Sequence, residues 1–418
     1  MANKKKVLGV GFVGAGFITR FHLRSWVGVR QADILGIFDP DQKRAAEAAS
    51  LAKKLRVGQP KIFKSLTDMV ADPDIEAIWI CSPNYTRIAV MEEIAEAVIK
   101  GKGELIGVTC EKPLGRNVKE ARKMLQLVQK ANLLDGYLEN QVFAPAVVRG
   151  KEIIWVRGAS LCGRPYLARA AEEHSGPHMP WFWDGELQGG GVLNDMMCHS
   201  VEEARFMLTP PGASRDELTP VKITAYASCL KWQLPEYVKH LRKTSGGKLD
   251  YANRPAEDFA RSVIEYKDKQ GHILVVETTT SWCYVGAGLR LTMELLGPEY
   301  SMQVNTLDSG LKVFFSRQVK GKAGEDLVEK QNAEVGLMPV ISGEEHEYGY
   351  TNENRHMVES FLDGRRPTEN FSDGVNVTEL LMSAYMSIEK DKTLPFPPPG
   401  LENFVPAVAK GQWNPKKK

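Results

Sequence analysis

Residues 7–19 read VLGVGFVGAGFIT, and this segment decides the fold of the first part of the chain. Its apolar first half has the length and composition of a buried strand, and a turn with Gly14 and Gly16 follows directly. A helix is expected from Phe17 onward. In a dinucleotide-binding turn the first glycine permits the tight bend, and the second lets the backbone approach a pyrophosphate at the helix N-terminus. Thr19 stands where the third glycine of that pattern would be; because that glycine serves helix–strand packing, Thr19 weakens the match to the pattern without removing phosphate binding.

The segments that follow alternate between strand-like and helix-like patterns, which indicates a doubly wound parallel sheet. Predicted strands cover 7–13, 34–38, 75–80, a run ending at Cys110, and 134–138; predicted helices cover 17–27, 42–55, 88–99 and 118–131. We therefore predict a Rossmann dinucleotide-binding domain over residues 1–143.

After Pro145 the strand-like segments become longer and richer in Thr, Val and aromatic residues. They cover 222–229, 262–267, 272–281, 290–296, 301–305 and 311–316. Because they lack the long intervening helices that parallel crossovers need, a large open, mostly antiparallel sheet is expected. We predict a second α/β domain over 144–394 with an insertion at 232–257, late helices at 352–362 and 375–388, and a Pro-rich strap at 395–418.

Composition and charge restrict the classes of function. A length of 418 residues suits two domains, and a net charge of +2 leaves no broad basic field for nucleic acid or an anionic membrane. No transmembrane run or signal peptide is predicted. The six cysteines are scattered without metal-type spacing, which suits free thiols in a reducing compartment. We expect a cytoplasmic protein that binds small molecules.

Asp39 ends the second predicted strand, about 20 residues beyond the glycines, where a carboxylate can accept hydrogen bonds from a ribose diol. The same charge would repel a 2′-phosphate, so NAD is favoured over NADP. Asp39 could also cap the next helix just before Pro40, and one carboxylate could do both. Lys43 and Arg44 lie close by and keep NADP as the less favoured alternative.

Lys112 lies in the sequence Glu111-Lys112-Pro113, directly after a predicted strand. This position places the lysine at the carboxyl edge of the parallel sheet, where ligands of open α/β sheets bind. Pro113 fixes the turn and prevents a simple helical continuation. A Lys–Pro pair is otherwise an ordinary surface turn, so the hypothesis that Lys112 has a functional role rests on its position at this edge.

Asp195 and His199 are four residues apart and share one face of a predicted helix. An imidazole can take up a proton near neutral pH, and a carboxylate one turn away can orient it. The alternative is a first-turn aspartate favoured by the helix dipole and an ordinary helix histidine. The preceding run Gly189-Gly190-Gly191 allows the backbone to pass close to a ligand or partner.

A loop rich in aromatic and polar residues precedes these glycines. Its side chains suit stacking on, and hydrogen bonding to, a sugar-like ligand, or simply a packed Trp-rich surface: His174, His178, Trp181, Trp183 and Asp184. Metal binding by histidines of this loop together with Cys198 and His199 matches no common spacing, so no metal site is predicted.

Taken together, these features resemble the Gfo/Idh/MocA oxidoreductase family, which includes glucose–fructose oxidoreductase and inositol dehydrogenases. The resemblance runs nearly end to end and rests on the N-terminal glycines, Asp39, Ser82-Pro83-Asn84, Glu111-Lys112-Pro113, the Gly-Gly-Gly segment with Asp195 and His199, Asp373-Gly374 and Leu394-Pro395. It implies a Rossmann domain joined to an α/β domain with a large open sheet, whose exposed face commonly forms homo-oligomers. By resemblance, Lys112, Asp195 and His199 match the catalytic residues.

The predicted function is an NAD-dependent dehydrogenase that oxidises a secondary hydroxyl of a sugar, glycoside or cyclic polyol. The predicted cofactor-binding residues are Gly14, Gly16, Phe17, Ile18, Asp39, Ser82, Pro83, Asn84, Glu111 and Lys112. The predicted substrate-binding residues are Lys112, Asn140, His174, His178, Trp181, Trp183, Asp195 and His199. Two alternatives stay open: an NAD-assisted glycoside hydrolase or lyase that works through a transient keto-sugar, and a non-enzymatic NAD(P) or sugar sensor.

Overall fold

The computed structural model describes residues 7–286, 288–315, 329 and 336–415. These residues group into two units: unit 1 comprises residues up to 145 together with 345–376, and unit 2 comprises 146–344 and the residues from 377 onward. The segment 345–376, which the sequence analysis assigned to the second domain, thus has its contacts in unit 1. The predicted boundaries at residues 143 and 394 stay predictions.

The strands and helices have the following bounds. The strands are β1 (Leu8–Val13), β2 (Ala32–Phe38), β3 (Lys61–Phe63), β4 (Ala77–Ile80), β5 (Gly107–Glu111), β6 (Leu134–Leu138), β7 (Leu167–Glu173), β8 (Leu218–Ser228), β9 (Phe259–Asp268), β10 (Ile273–Ser281), β11 (Arg290–Leu296), β12 (Ser301–Asn305), β13 (Leu311–Phe315), β14 (Gly336–Val340) and β15 (Leu394–Pro395). The α-helices are α1 (Phe17–Ser25), α2 (Gln42–Leu55), α3 (Leu66–Ala71), α4 (Arg87–Ile99), α5 (Val118–Lys130), α6 (Pro145–Ile153), α7 (Ser160–Cys162), α8 (Gly185–Gln188), α9 (Val192–Leu208), α10 (Pro235–Thr244), α11 (Glu344–Glu347), α12 (Tyr350–Leu362) and α13 (Phe371–Lys390).

Unit 1 is built on a six-stranded parallel sheet in the order β3-β2-β1-β4-β5-β6, which confirms the predicted doubly wound Rossmann fold. Strands buried on both faces carry continuous apolar runs, and this is why β1 and β4 were recognisable from sequence. Strand β3 was missed because it is three residues long, with Lys61 and Ile62 exposed, and offers no apolar run. The short helix α3 after it was missed too.

Unit 2 contains a seven-stranded sheet in the order β12-β11-β7-β10-β9-β8-β15. Of its six pairings only β7 with β10 is parallel, so the predicted large, mostly antiparallel sheet is confirmed. The prediction missed β7, whose sequence LARAAEE has low strand propensity although the strand lies inside the sheet. It was also wrong to place 311–316 in this sheet, because β13 pairs with β14 in a separate two-stranded sheet. Residue 316 lies outside the described residues.

Helix α9 covers one face of the large sheet, where it packs mainly against β7 and β10. It is 17 residues long, and all but one of its residues are buried. The predicted insertion 232–257 contains α10, and the predicted strap begins at β15, which pairs with β8 at the edge of the sheet. None of the helices in the described ranges is long and apolar enough to cross a membrane.

Candidate active site

The predicted nucleotide turn leaves β1 and enters α1 through two glycines in different surroundings. Gly14 has φ +95°, and a Cβ there would lie 2.9 Å from the backbone of Cys81 and Ser82, so only glycine fits. A Cβ at Gly16 would meet no described atom within 4 Å, which leaves open space above the N-terminus of α1. Thr19, in place of the third glycine, donates from Oγ1 to the carbonyl of Gly14 at 2.8 Å and braces the turn.

Asp39 follows β2 and holds the glycine turn. Its Oδ2 accepts from the backbone N–H of Ala15 and its Oδ1 from that of Asp41, both at 2.8 Å. The possible helix-capping role of Asp39 is wrong, because Asp41 is the N-cap of α2 and accepts from Lys43 and Arg44. A carboxylate oxygen can accept more than one hydrogen bond, so Asp39 keeps acceptor capacity for a ribose hydroxyl.

The turn with Lys112 leaves β5 at the same carboxyl edge of the sheet. The Lys112–Pro113 peptide bond is cis. Arg87, buried at the start of α4, donates to the carbonyls of Ser82, Glu111 and Pro113, at 2.9 Å and 2.6 Å for the first two. One buried guanidinium therefore joins the Ser82-Pro83-Asn84 turn to the Glu111-Lys112-Pro113 turn. Phe17 and Ile18, which were also predicted to bind the cofactor, are the first two residues of α1 and directly follow the glycine turn.

A buried hydrogen-bonded network fixes Glu111. His22 Nε2 lies 2.9 Å from Glu111 Oε1, and the backbone N–H of Lys112 donates to Oε2. Trp79 Nε1 donates to Oδ1 of Asn354, whose Nδ2 then donates to His22 Nδ1 at 2.9 Å. This pattern leaves the imidazole proton on Nε2, pointing at Glu111. Although burial opposes it, the hydrogen bond from His22 and the positive charge of Lys112 lower the pKa of Glu111.

Two buried carboxyl groups of unit 1 that were not predicted, those of Glu139 and Glu353, have raised pKa values. Burial raises the pKa of Glu139 to about 8, although the positive charge of Lys112 opposes the rise. Glu353 is fully buried, its carboxyl oxygens have no hydrogen-bond partner in the described part of the chain, and burial together with neighbouring carboxylates raises its pKa strongly. Asn140, a predicted substrate residue, is buried and donates from Nδ2 to the carbonyl of Tyr348 at 2.7 Å.

In unit 2, Asp195 and His199 lie one turn apart on α9, as the spacing predicted, and both are buried. Trp282 Nε1 donates to Asp195 Oδ2 at 3.3 Å. Glu172 on β7 places its Oε2 3.8 Å from His199 Nε2. Each of the two helix residues therefore has a polar neighbour from the sheet side of unit 2, and neither neighbour was predicted.

The aromatic loop of unit 2 divides into a buried and a more exposed part. Trp183 is buried, donates from Nε1 to the carbonyl of Pro177, and packs on Trp232 and Trp282 with ring centroids 4.5 Å and 4.9 Å away. His174 is buried and accepts at Nδ1 from the backbone N–H of Gly176. The remaining predicted residues are the partly exposed Trp181, the exposed His178 and Asp184, which caps α8.

Two groups of predicted residues are thus assembled, one in each unit. In unit 1 the structure brings together, at the carboxyl edge, Gly14, Gly16, Asp39, Ser82, Glu111 and Lys112. In unit 2 it connects Asp195 and Trp183 through Trp282. The residues that sequence reasoning missed are His22, Arg87, Glu139, Glu172, Trp282 and Glu353. Four of them make contacts with positions far away in the chain, Glu139 and Glu353 are distinguished by their burial, and no local pattern marks any of the six.

The glycine turn, the acceptor at Asp39 and the parallel strand order define an NAD-binding Rossmann domain of the oxidoreductase class. Two sequence models of one family match the chain: an oxidoreductase family with an NAD-binding Rossmann fold over residues 8–135, and a GFO/IDH/MocA C-terminal domain over residues 158–302. Together they cover more than half of the chain, which therefore belongs to the Gfo/Idh/MocA family. The predictions of the family and of NAD as the cofactor are confirmed.

Curated relatives include the levoglucosan dehydrogenase of Pseudarthrobacter phenanthrenivorans, 28% identical over 48% of this chain and 51% of that protein. The myo-inositol 2-dehydrogenase of Thermotoga maritima is 25% identical over 48% of this chain and 54% of its own length. The chain thus matches about half the length of these relatives. Among solved structures, GenD2 from gentamicin A biosynthesis, in complex with NAD, has a TM-score of 0.73 at 23% identity, with 94% of this chain and 97% of that chain covered. That likeness shows the fold.

Proposed function

We propose that this protein is an NAD-dependent dehydrogenase that oxidises a secondary hydroxyl of a sugar, glycoside or cyclic polyol. The observation that carries the proposal is the arrangement at the carboxyl edge of unit 1. There the glycine turn, the Asp39 carboxylate and Lys112 lie on turns that directly follow three parallel strands. Family membership and the names of the curated relatives, which are sugar and polyol dehydrogenases, support the same class of reaction.

The residues of unit 1 fit NAD. The open space at Gly16 and the N-terminus of α1 suit a pyrophosphate, because backbone N–H groups and the helix dipole favour an anion there. Asp39 would accept from the ribose hydroxyls and disfavour a 2′-phosphate. Ser82, Pro83, Asn84 and Glu111 would lie against the nicotinamide end. Bound NAD would supply the hydride acceptor for the alcohol carbon.

Three side chains would act on the substrate. His199 would take the proton of the reacting hydroxyl as general base, and Asp195 would orient it and stabilise the imidazolium. The Lys112 ammonium would donate a hydrogen bond to the same oxygen and stabilise the negative charge that develops on it. The carbon then loses its hydride and becomes a carbonyl, so that one proton and one hydride leave the alcohol in each turnover.

The loop that includes His174, His178, Trp181 and Trp183 would contribute to sugar binding, together with Asn140. Aromatic rings offer flat apolar faces for the C–H side of a sugar ring, and imidazole and amide groups offer hydrogen bonds. In this proposal the loop selects the substrate, whereas the chemical step depends on Lys112 and His199.

The deciding experiment follows absorbance at 340 nm with NAD and a panel of sugars, glycosides and inositols, after a check for nucleotide retained through purification. Lys112→Met and His199→Ala should each lower kcat by about 100-fold or more while NAD binding stays intact. Normal turnover in both variants would reject the proposed roles. Glycoside cleavage without net NADH would instead favour the hydrolase or lyase alternative, and NAD binding without any turnover would favour a sensor.

We further propose that the open face of the seven-stranded sheet forms a homo-oligomer. The register places Tyr226, Val263 and Ile273 on this face, and each is 45–46% exposed. Arg169 pairs there with Glu277 and Glu294. Exposed apolar side chains beside paired charges suit a self-complementary interface. A strictly monomeric chain in light scattering at micromolar concentration would reject this proposal.

A further inference from the structure

Helix α9, which carries Asp195 and His199, begins at a glycine and has no cap of its own. Its N-cap residue, Gly191, offers no side-chain oxygen to the free N–H groups of the first turn. Glu257, 66 residues further along the chain, accepts hydrogen bonds from these groups: its Oε1 accepts from Gly191 N at 2.9 Å and from Leu193 N at 3.1 Å. Its backbone carbonyl accepts from Val192 N at 3.0 Å.

Tyr385 on α13 completes this cap. Its hydroxyl donates to Glu257 Oε1 at 2.5 Å and accepts from Gly191 N at 3.1 Å. A Cβ on Gly190 would lie 2.0 Å from the Tyr385 hydroxyl, and one on Gly191 would lie 2.7 Å from the Glu257 carboxyl group. The glycine run predicted to let the backbone approach a ligand or partner therefore passes against Glu257 and Tyr385.

Capping alone does not account for a glutamic acid at this place. Glu257 and Tyr385 are both buried, and Oε2 of Glu257 has no hydrogen-bond partner among the residues that the structure describes. Burial of a carboxyl group with an unsatisfied oxygen costs free energy, whereas Ser or Asn commonly caps a helix without a buried charge. A carboxyl group here offers one oxygen that binds two N–H groups and a phenol at once.

The same segment also holds the partner of Asp195. The backbone N–H of Trp282 donates to the carbonyl of Asp258 at 2.8 Å, and the Trp282 indole donates to Asp195. The dipeptide Glu257-Asp258 therefore anchors both the first turn of α9 and the residue that donates to its aspartate.

We propose that Glu257, together with Tyr385, is a positioning residue for the dehydrogenase reaction: the pair fixes the first turn of α9, and with it the side chains of Asp195 and His199. This inference rests on the proposed function. Asp195 lies in the first turn of α9 and His199 one turn further along the same helix, so a loosened first turn would misplace both side chains. Small misplacements of reacting groups are costly in rate. All residues of the cap belong to unit 2, so we expect NAD binding in unit 1 to be unchanged when the cap is altered.

The test is a kinetic double-mutant cycle of Glu257→Gln and His199→Ala, with kcat expressed per NAD-binding site so that only folded enzyme counts. In the wild-type background Glu257→Gln should lower kcat about 10-fold and change KM for the sugar less than about 3-fold. In the His199→Ala background it should lower kcat less than about 2-fold, because it acts through the helix residues. Tyr385→Phe should likewise lower kcat in the wild-type background and much less in the His199→Ala background, and it replaces Glu257→Gln in the cycle if that variant fails to fold.

Asp268→Asn is the matched control, since Asp268 is also a buried acid with several hydrogen bonds but lies at the end of β9. It should lower thermal stability and leave kcat per NAD site unchanged. Equal fold-losses from Glu257→Gln in both backgrounds, or no kinetic effect at all, would overturn the positioning role alone. Normal turnover of His199→Ala itself would reject the proposed function, and the positioning role with it.

Discussion

His22 Nε2 lies 2.9 Å from Oε1 of Glu111, and both side chains are buried beneath the backbone of Lys112. The pair joins the first helix of unit 1 to the end of its fifth strand, 89 residues away. A protonated Nε2 donates to an ionised carboxylate, and the carboxylate in turn accepts from the N–H of Lys112. The position of the lysine turn therefore depends on a contact with a residue of the first helix, far away in the sequence.

His22→Phe should test this contact. An aromatic ring is kept, but Glu111 loses its donor, so we expect a loss of about 3 kcal/mol or more in the free energy of unfolding at pH 7. The pKa of Glu111 is lowered from its ordinary value of 4.5, so the stabilisation is present above that value and is lost as the pH falls through the lower pKa of the folded state. Chemical denaturation of wild type and variant at pH 7 measures the loss of stability, and repeating it stepwise below pH 4.5 shows the difference between the two proteins shrinking.

Arg20→Ala is the control for that experiment. It breaks the ion pair between Arg20 and Glu47, whose side chains are 45% and 48% exposed, respectively. An exposed pair contributes about 1 kcal/mol or less. A variant His22→Phe that is as stable as Arg20→Ala would contradict the assigned role of the buried pair.

The two glycines of the nucleotide turn should respond differently to alanine. Gly14→Ala forces a Cβ against the backbone of Cys81 and Ser82 at positive φ, so both stability and NAD affinity should fall. Gly16→Ala fills space that no described atom occupies, so stability should stay within about 0.5 kcal/mol of wild type while NAD affinity falls. Thermal unfolding and calorimetric NAD titration separate the two. Wild-type NAD affinity in Gly16→Ala would exclude a pyrophosphate at this place.

Asp39→Asn should weaken the preference for NAD. The amide oxygen can still accept from the backbone of the glycine turn, but the charge that repels a 2′-phosphate is gone. We expect the ratio of kcat/KM for NAD over NADP to fall about 10-fold or more. Asp41→Asn, at the exposed cap of α2, is the control and should leave the ratio unchanged. An unchanged ratio of kcat/KM for NAD over NADP in Asp39→Asn would contradict the proposed contact between Asp39 and the ribose.

Two tryptophans in contact should affect different kinetic constants. Trp282→Phe removes the donor to Asp195 and should lower kcat about 5-fold or more with little change in KM for the sugar. Trp183→Phe keeps an aromatic ring, and we expect it to raise KM more than it changes kcat. Steady-state kinetics with the best sugar of the panel compare the two. A fall in kcat for Trp183→Phe with KM unchanged would contradict a binding role.

The sequence was sufficient for the parts of the fold in which local pattern and tertiary environment agree. The apolar strands β1 and β4 are buried on both faces, and α2 occupies residues 42–55 as predicted. It was insufficient for β7, whose alanines and glutamates carry no strand pattern. That strand exists because β10 and β11 pair with it on either side. Tertiary pairing here overrides local propensity.

The candidate site shows the same division. The glycine turn, Asp39 and the helical spacing of Asp195 and His199 are local patterns with a physical reason, so they could be recognised. Glu257 and Tyr385 reach Gly191 from 66 and 194 residues away, and neither lies in a pattern that marks a helix cap. The groups predicted to bind cofactor or substrate lie in local patterns, whereas the groups proposed to position them make contacts between distant parts of the chain.

The ionisation of Glu257 should be visible in the stability of the protein. Burial raises its pKa to about 7 from an ordinary value of 4.5, although hydrogen bonds from Tyr385, Leu193 and Gly191 oppose the rise. A raised pKa means that the folded state holds the proton more tightly than the unfolded state. The stabilisation is therefore complete below pH 4.5 and is lost as the pH rises through 7.

Glu257→Gln removes this titration. Relative to the variant, the wild type should lose about 3 kcal/mol of unfolding free energy between pH 4.5 and pH 8. The buried groups around the carboxyl, Tyr385, Tyr251 and Cys229, all have raised pKa values and stay neutral over this range. Chemical denaturation of both proteins across the range measures the difference. Parallel stability curves would show that Glu257 does not titrate there, and that the cap keeps one charge state throughout the working pH of the enzyme.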